Sequence, residues 1–248
     1  MIIKFLRQSN IALLCIGDGC KDDYISIGFD RVEFLKFGFF EEYKVLDNNY
    51  YKSLTDKYNI LSNINEPLNL LFVGQLIKRK NLHGVLKELI QSSRNITLNV
   101  AGDGPLKMEL LSICNDFPTN INVIFHGHCS ENELDTLYRN SHAFILFSKY
   151  EGWGAVVNQA VHYHLPILLS NNVRSGKDFL LCNNNGLQFN TERELVEFID
   201  KADINTLLTM ATNNNSINEE WCISNASIRL LNFIIYNEIY NSGPLSRI

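Results

Sequence analysis

Two short segments carry the residue types needed to hold an anionic, polyhydroxylated ligand. The first is Gly74-Gln75-Leu76-Ile77-Lys78-Arg79-Lys80-Asn81, with three consecutive cations behind the apolar run Leu70-Leu71-Phe72-Val73. Cations at the carboxyl end of a strand suit a phosphate, although a solvated loop has the same composition. The second is Tyr150-Glu151-Gly152-Trp153-Gly154, which follows the run Phe144-Ile145-Leu146-Phe147 and opens a helical pattern. Paired glycines there let a ligand approach the backbone, and free N–H groups at a helix start favour a diphosphate. Glu151 stands where a carboxylate can accept from a sugar hydroxyl, and Gln159 follows eight positions later, within reach of the same crevice. An acid that merely capped the helix would need neither glycine, so ligand binding is the favoured reading.

Such groups need a rigid sheet behind them. From residue 68 onward, short apolar runs alternate with helical patterns. Strands are predicted at 70–73, 96–100, 123–125, 144–147 and 166–169, with a weaker one at 186–189. Helices are predicted near 82–92, 105–116, 131–140, 153–164 and 191–201. Near-continuous apolar strands of this length suit a parallel sheet covered on both faces, and the alternation implies right-handed βαβ units. The predicted fold class is therefore α/β, with a doubly wound, Rossmann-like parallel sheet. Gly74, Gly102 and Gly127 end three of the strands and mark the carboxyl edge, where such folds bind ligands.

A third glycine segment, Ala101-Gly102-Asp103-Gly104-Pro105-Leu106-Lys107, begins like a dinucleotide fingerprint. Its third glycine position holds Lys107, which disfavours a nicotinamide-dependent enzyme and leaves a tight strand-to-helix turn. The pairs His126/His128 and His162/His164 have no acid or thiol ligands set beside them by sequence. No metal site is predicted.

The chain has 248 residues, of which 46% are hydrophobic and 20% charged, with a formal net charge of −5. The acidic balance argues against a nucleic-acid partner. No apolar run approaches the ~18 residues of a membrane span, and the run Ile11–Ile16 reads as a buried strand rather than a signal segment. Six scattered cysteines without a C-x-x-C, Cys182 among them, suit reduced thiols in a cytoplasmic protein. The tracts Asn183-Asn184-Asn185 and Asn213-Asn214-Asn215 read as loops.

Residues 1–66 fit less well. They offer a strand at 11–16, a Gly17-Asp18-Gly19 turn, a short helix at 20–27, a second strand at 32–38 and a polar stretch. Two strands are marginal by themselves, so this region reads as the remnant of another domain. The predicted organisation is 1–66 remnant, 67–202 Rossmann-like domain, and 203–248 two helical patterns (203–212 and 218–240) with a disordered end.

With these pieces in place, the sequence resembles the glycosyltransferase group 1 family, whose retaining enzymes have two Rossmann domains (the GT-B fold). The resemblance covers residues 68–200 and the nucleotide-sugar-binding C-terminal domain. It rests on Leu71-Phe72-Val73-Gly74 with Lys80, Val100-Ala101-Gly102-Asp103-Gly104-Pro105, and Phe125-His126-Gly127 with Glu133-Leu134 and Leu137-Tyr138. It continues through Tyr150-Glu151-Gly152-Trp153-Gly154, His164-Leu165-Pro166-Ile167 and Asn185-Gly186-Leu187. It implies transfer of a sugar, with retention, from a nucleotide sugar to a glycan or lipid-linked acceptor, without a metal cofactor. Polysaccharide or lipopolysaccharide assembly at the inner face of the cell membrane is the implied setting. Lys80 matches the lysine that neutralises the donor diphosphate, and Glu151 the first glutamate of an E-x7-E motif that holds donor-sugar hydroxyls. Gly74 and Gln75 line the donor site, Gly152, Trp153 and Gly154 form its backbone loop, and Gly127 and His128 stand where the base is gripped.

Three departures follow. Gln75 stands where the family usually has Arg, leaving Lys78 or Arg79 to substitute. Gln159 replaces the second glutamate, which implies donor binding weaker by up to about tenfold, because a neutral acceptor contributes less than a charged one. Only about 66 residues precede the match, against on the order of 100–150 for an intact first domain. A non-catalytic nucleotide-sugar-binding subunit, or one completed by a separate N-terminal-domain protein, is the competing expectation.

Overall fold

Two parallel sheets of unequal size appear in the computed structural model, which describes residues 11–17, 19–42, 48–63, 65–177, 180–181 and 184–248. Asp18, Cys182 and Asn183, named above, lie outside the described residues. The smaller sheet pairs β1 (Ala12–Ile16) with β2 (Glu33–Phe37), joined through helix α1 (Cys20–Ser26). Its own core is small, built on Cys15, Phe29 and Phe34.

The larger sheet contains β3 (Leu68–Val73), β4 (Ile96–Ala101), β5 (Ile121–Gly127), β6 (Ala143–Leu146), β7 (Ile167–Ser170) and β8 (Gly186–Phe189). The order is β5-β4-β3-β6-β7-β8, with every pairing parallel. β6 and β7 are buried at every position, as a strand covered on both faces must be, whereas edge strand β5 alternates. The chain winds outward from β3 to β5, returns to place β6 beside β3, and then winds the other way. Loops leaving β3 and β6 therefore diverge and open a crevice between them.

Helices cover both faces, and two of them are capped reciprocally at their starts. Ser130 with Glu133 and Thr191 with Glu194 form capping boxes at the starts of Glu131–Asn140 and Glu192–Lys201. In chain order the helices after α1 are α2 (Asn48–Asn59), α3 (Leu82–Leu89), α4 (Lys107–Cys114), α5 (Glu131–Asn140), α6 (Ala155–His162), α7 (Glu192–Lys201), α8 (Ile204–Glu220) and α9 (Ile223–Tyr236). Helix α2 occupies part of the stretch read above as merely polar. Its Leu54 and Tyr58 belong to the core of the larger sheet, and the Tyr58 hydroxyl donates to the His142 carbonyl at 2.8 Å.

The C-terminal region departs from the sequence reading in three ways. Helix α8 runs on to Glu220, and the Asn213–Asn215 tract lies inside it rather than in a loop. Asn214 is fully buried, donating to the Leu165 carbonyl at 2.9 Å and accepting from Asn185 at 2.8 Å. The break before α9 falls at Trp221-Cys222, where the Ile223 amide donates to the Glu41 carbonyl at 3.0 Å and Trp221 stacks on Phe40. The end expected to be disordered docks on β2 instead. The Leu245 amide donates to Lys36 and the Lys36 amide to Ser246, both at 2.8 Å, and Leu245 is fully buried.

Trp153 locks the two sheets together. Its indole N–H donates to Asn158 at 2.6 Å, and the Asn158 amide donates onward to the Phe39 carbonyl at 2.7 Å. The indole lies over Gly38, where a Cβ would sit 2.3 Å from the ring. Gly38→Ala is therefore expected to displace a buried ring and destabilise the protein by about 1–3 kcal/mol. A lowered urea midpoint checks this, and an unchanged midpoint contradicts it.

Candidate functional site

The 74–81 and 150–154 segments meet at the divergence of β3 and β6. Lys80 closes a short 3-10 turn (Lys78–Lys80), and Asn81 takes a left-handed conformation before α3. This geometry turns the Lys80 side chain inward, with only 11% of it exposed, against a Glu151 side chain 12% exposed. The Lys80 ammonium pairs directly with Glu151 Oε2. Arg79 reaches the same oxygen at 2.9 Å and also donates to the Tyr150 carbonyl at 3.0 Å. The backbone seals the junction, with the Lys149 amide donating to the Arg79 carbonyl at 2.8 Å.

Burial pushes the Glu151 carboxyl upward, but the bonds and charges of Lys80 and then Arg79 outweigh it and hold the group below its usual range. Glu151 is thus an anion between two cations, the nearly buried Lys80 and the more exposed Arg79. The surplus positive charge is what a diphosphate requires. Of the two cations weighed as substitutes for the missing arginine, Arg79 is the one turned into the crevice. Gln75 itself is exposed.

Gly152 borders open space, whereas Gly154 packs against Glu151 and Leu146, 3.1 and 3.2 Å from where its Cβ would stand. A Cβ at Gly152 would meet no atom within 4 Å, so packing within the protein does not demand a glycine there. Gly154 has φ of 85°, a left-handed conformation that glycine adopts without strain, and serves as the N-cap of α6 with no side-chain cap bond. The Val157 amide turns back to the Gly154 carbonyl at 2.8 Å, and the two N–H groups before it are left for another acceptor. Gly74 lies against Lys80, a Cβ there falling 3.5 Å from the Lys80 Cε. The Gly74, Gly102 and Gly127 ends are laddered together, the Gly74 amide donating to Ala101 at 2.9 Å and Gly102 to Gly127 at 2.7 Å.

The remaining candidates sit elsewhere. The Trp153 side chain turns into the Gly38 lock, which leaves only its backbone for a ligand. His128 is exposed past the end of β5, near Asp103, whose carboxyl is held low first by Lys107. Lys107, the residue that broke the dinucleotide pattern, bonds Asp103 at 2.8 Å. Gln159 accepts from the Tyr138 hydroxyl at 3.0 Å and lines a cavity of about 390 Å³ between α5 and α6, together with Glu41, Glu42, Glu131 and Asp135. A glutamate at 159 would add a further carboxylate to that acidic wall, which gives a physical reason for the neutral residue. Ser148, fully buried, reaches Glu151 Oε2 at 3.4 Å and had no sequence signal.

The profile of a family described as Glycosyl transferases group 1 matches residues 56–218. A glycogen synthase of Mycobacterium tuberculosis is 31% identical over 108 residues, 42% of this chain and 26% of that protein. An uncharacterized glycosyltransferase of Methanocaldococcus jannaschii is 27% identical over 103 residues, 41% of this chain and 26% of its own length. Among solved structures, WaaG, a glycosyltransferase involved in lipopolysaccharide biosynthesis, superposes with a TM-score of 0.66 at 18% identity, over 91% of this chain and 63% of that one. Anabaena HepE in complex with UDP and glucose gives 0.65 at 17%, over 90% and 62%. These likenesses establish the fold as the parallel α/β arrangement of the C-terminal domain in GT-B glycosyltransferases. The chain spans about a quarter of the length of these two sequence relatives and under two thirds of these structural neighbours.

Proposed function

From the premise that this chain belongs to the glycosyl transferases group 1 family, we propose that its crevice holds the nucleotide-sugar donor for a retaining sugar transfer to a glycan or lipid-linked acceptor. The observation that carries this reading is the nearly buried Lys80–Glu151 pair, joined from the exposed side by Arg79, at the divergence of β3 and β6. In the transfer, the bond from the anomeric carbon to the diphosphate oxygen breaks, and the acceptor oxygen bonds the same face of that carbon. The acceptor's proton departs to the leaving diphosphate. Positive charge grows on the sugar and negative charge on the diphosphate. Lys80, Arg79 and the open α6 N–H groups stabilise the latter without reorganising. In this reading Glu151 accepts from donor-sugar hydroxyls, Gly127 and His128 border the base, and no metal takes part.

The described residues build the donor side. In this reading the acceptor side is supplied by a further α/β domain set beside the smaller sheet. Involvement in polysaccharide or lipopolysaccharide assembly at the cytoplasmic membrane face is consistent with the WaaG likeness. No helix among the described residues is long and apolar enough to cross a membrane.

The test is a melting-temperature comparison of UDP, GDP and ADP, and of their sugar conjugates, on wild type, Lys80→Ala and Glu151→Ala. One nucleotide is expected to stabilise wild type, and Lys80→Ala to lose about 1.5–3 kcal/mol of that binding. Stabilisation untouched by both substitutions would remove the site from this crevice. Turnover with a labelled donor then separates an enzyme from a binding subunit.

A further inference from the structure

Arg174 belongs to neither segment discussed so far, yet it joins the Glu151 loop to the smaller sheet. Glu151 is held on both sides by the chain after β7. Its amide donates to the Asn172 carbonyl at 3.0 Å, and its carbonyl accepts from the Arg174 amide at 3.1 Å. The Arg174 guanidinium then leaves this strand-like pairing and spans to α1, bonding Asp23 Oδ2 at 2.6 Å across 151 positions of sequence. On the way it lies over the Tyr150 ring, 5.5 Å from its centroid. Gly17 and Gly19 pack onto the same side chain. A Cβ at Gly17 would stand 2.8 Å from the Arg174 Cβ and 2.7 Å from the Gly152 carbonyl, and one at Gly19 would stand 3.4 Å from the guanidinium. One planar side chain therefore touches Tyr150, Gly17, Gly19 and Asp23.

We propose that Arg174 is a positioning residue that fastens the Tyr150–Gly152 loop to the β1–α1 junction and so gives the Glu151 carboxylate one orientation toward the donor sugar. The proposal rests on the donor-site reading above. Asp23 is largely exposed, and exposed ion pairs contribute little to global stability, so the contact's effect is geometric. A guanidinium suits this role because it stacks and ion-pairs at once, which an ammonium does not.

The experiment has two arms, on Arg174→Ala and Arg174→Lys. Backbone hydrogen exchange without ligand is expected to speed up in Arg174→Ala at both 150–154 and 19–26. The expected factor is about tenfold at each, the order set by one charge-assisted contact. Acceleration at neither segment, or at only one, overturns the coupling. In the second arm, binding of UDP and of UDP-glucose is measured by calorimetry. Arg174→Ala is expected to weaken the sugar conjugate about tenfold without weakening UDP, because Glu151 accepts from the sugar hydroxyls and is no ligand of the diphosphate. Arg174→Lys is expected to restore little, since charge alone does not rebuild the stack. Equal loss for both ligands, with a fallen Tm, marks a merely structural residue and overturns the proposal. If wild type binds none of UDP, GDP, ADP and their sugar conjugates, the donor-site reading has failed, while the exchange arm still decides the coupling.

Discussion

Glu151→Gln is expected to move two affinities in opposite directions. In the free protein the Glu151 carboxylate is the counter-ion of Lys80 and Arg79. Removing it leaves a nearly buried ammonium unpaired, at a cost of about 3 kcal/mol of folding stability. A nucleoside diphosphate then supplies the missing negative charge and binds about tenfold more tightly than to wild type, restoring much of the melting temperature. The sugar conjugate gains the same diphosphate term. Its sugar hydroxyls, however, now meet a neutral acceptor, which is weaker by about 1–2 kcal/mol. The affinity gain on attaching the sugar is therefore expected to shrink by roughly tenfold. Titration of Glu151→Gln with a diphosphate and its sugar conjugate reads both shifts. Weaker diphosphate binding would show that Glu151 does not compete for the cations.

The second large effect is loss of stability in mild acid. His142 and His164 are buried, and both are pushed down to about 4, first by burial. The nearby Lys57 charge adds to the shift of His142. Geometry agrees with neutral rings. His142 Nδ1 accepts from the Asn69 amide at 2.9 Å, and His164 Nδ1 faces the Ala211 carbonyl at 3.2 Å while its other nitrogen faces Asn218. In the unfolded chain each ring titrates near its ordinary 6.5. As pH falls below that value the unfolded state takes up protons first. The stabilisation present above about 6.5 is then lost progressively down to about 4, on the order of 3 kcal/mol per histidine. Lys57, driven down to about 7 by burial, acts in the same sense at higher pH, because the unfolded chain holds its proton longer. Urea unfolding at pH 7.5 and 4.5 is expected to show this drop. His142→Gln, which titrates nowhere in the window, is expected to reduce the slope by about one proton. A flat profile in wild type would mean that both rings are protonated in the folded state.

What sequence alone determined here is local. The apolar runs at β3, β4, β6 and β7, the glycines that end strands and the capping residues at Ser130 and Thr191 each act within a few positions. Parallel strands joined by helices follow from that pattern through the handedness of the crossover. The two segments could be expected at one sheet edge, but the ion pair of Lys80 with Glu151 across 71 positions was set by the adjacency of β3 and β6 in the folded sheet. What tertiary structure decided lies across long separations, which leave no periodicity to read. The C-terminal tail is ordered because β2 offers it backbone partners more than 200 residues earlier. The Asn213–Asn215 tract is helical because buried carbonyls and Asn185 satisfy its side-chain amide, overriding a weak helix propensity. Trp153 serves the Gly38 lock because that glycine leaves a hollow for its ring, and Arg79 rather than Lys78 faces the crevice because the 3-10 turn ending at Lys80 aims it there. Arg174 stands next to nothing in sequence that reports its reach to Asp23, since only the packing of one sheet against the other sets that distance.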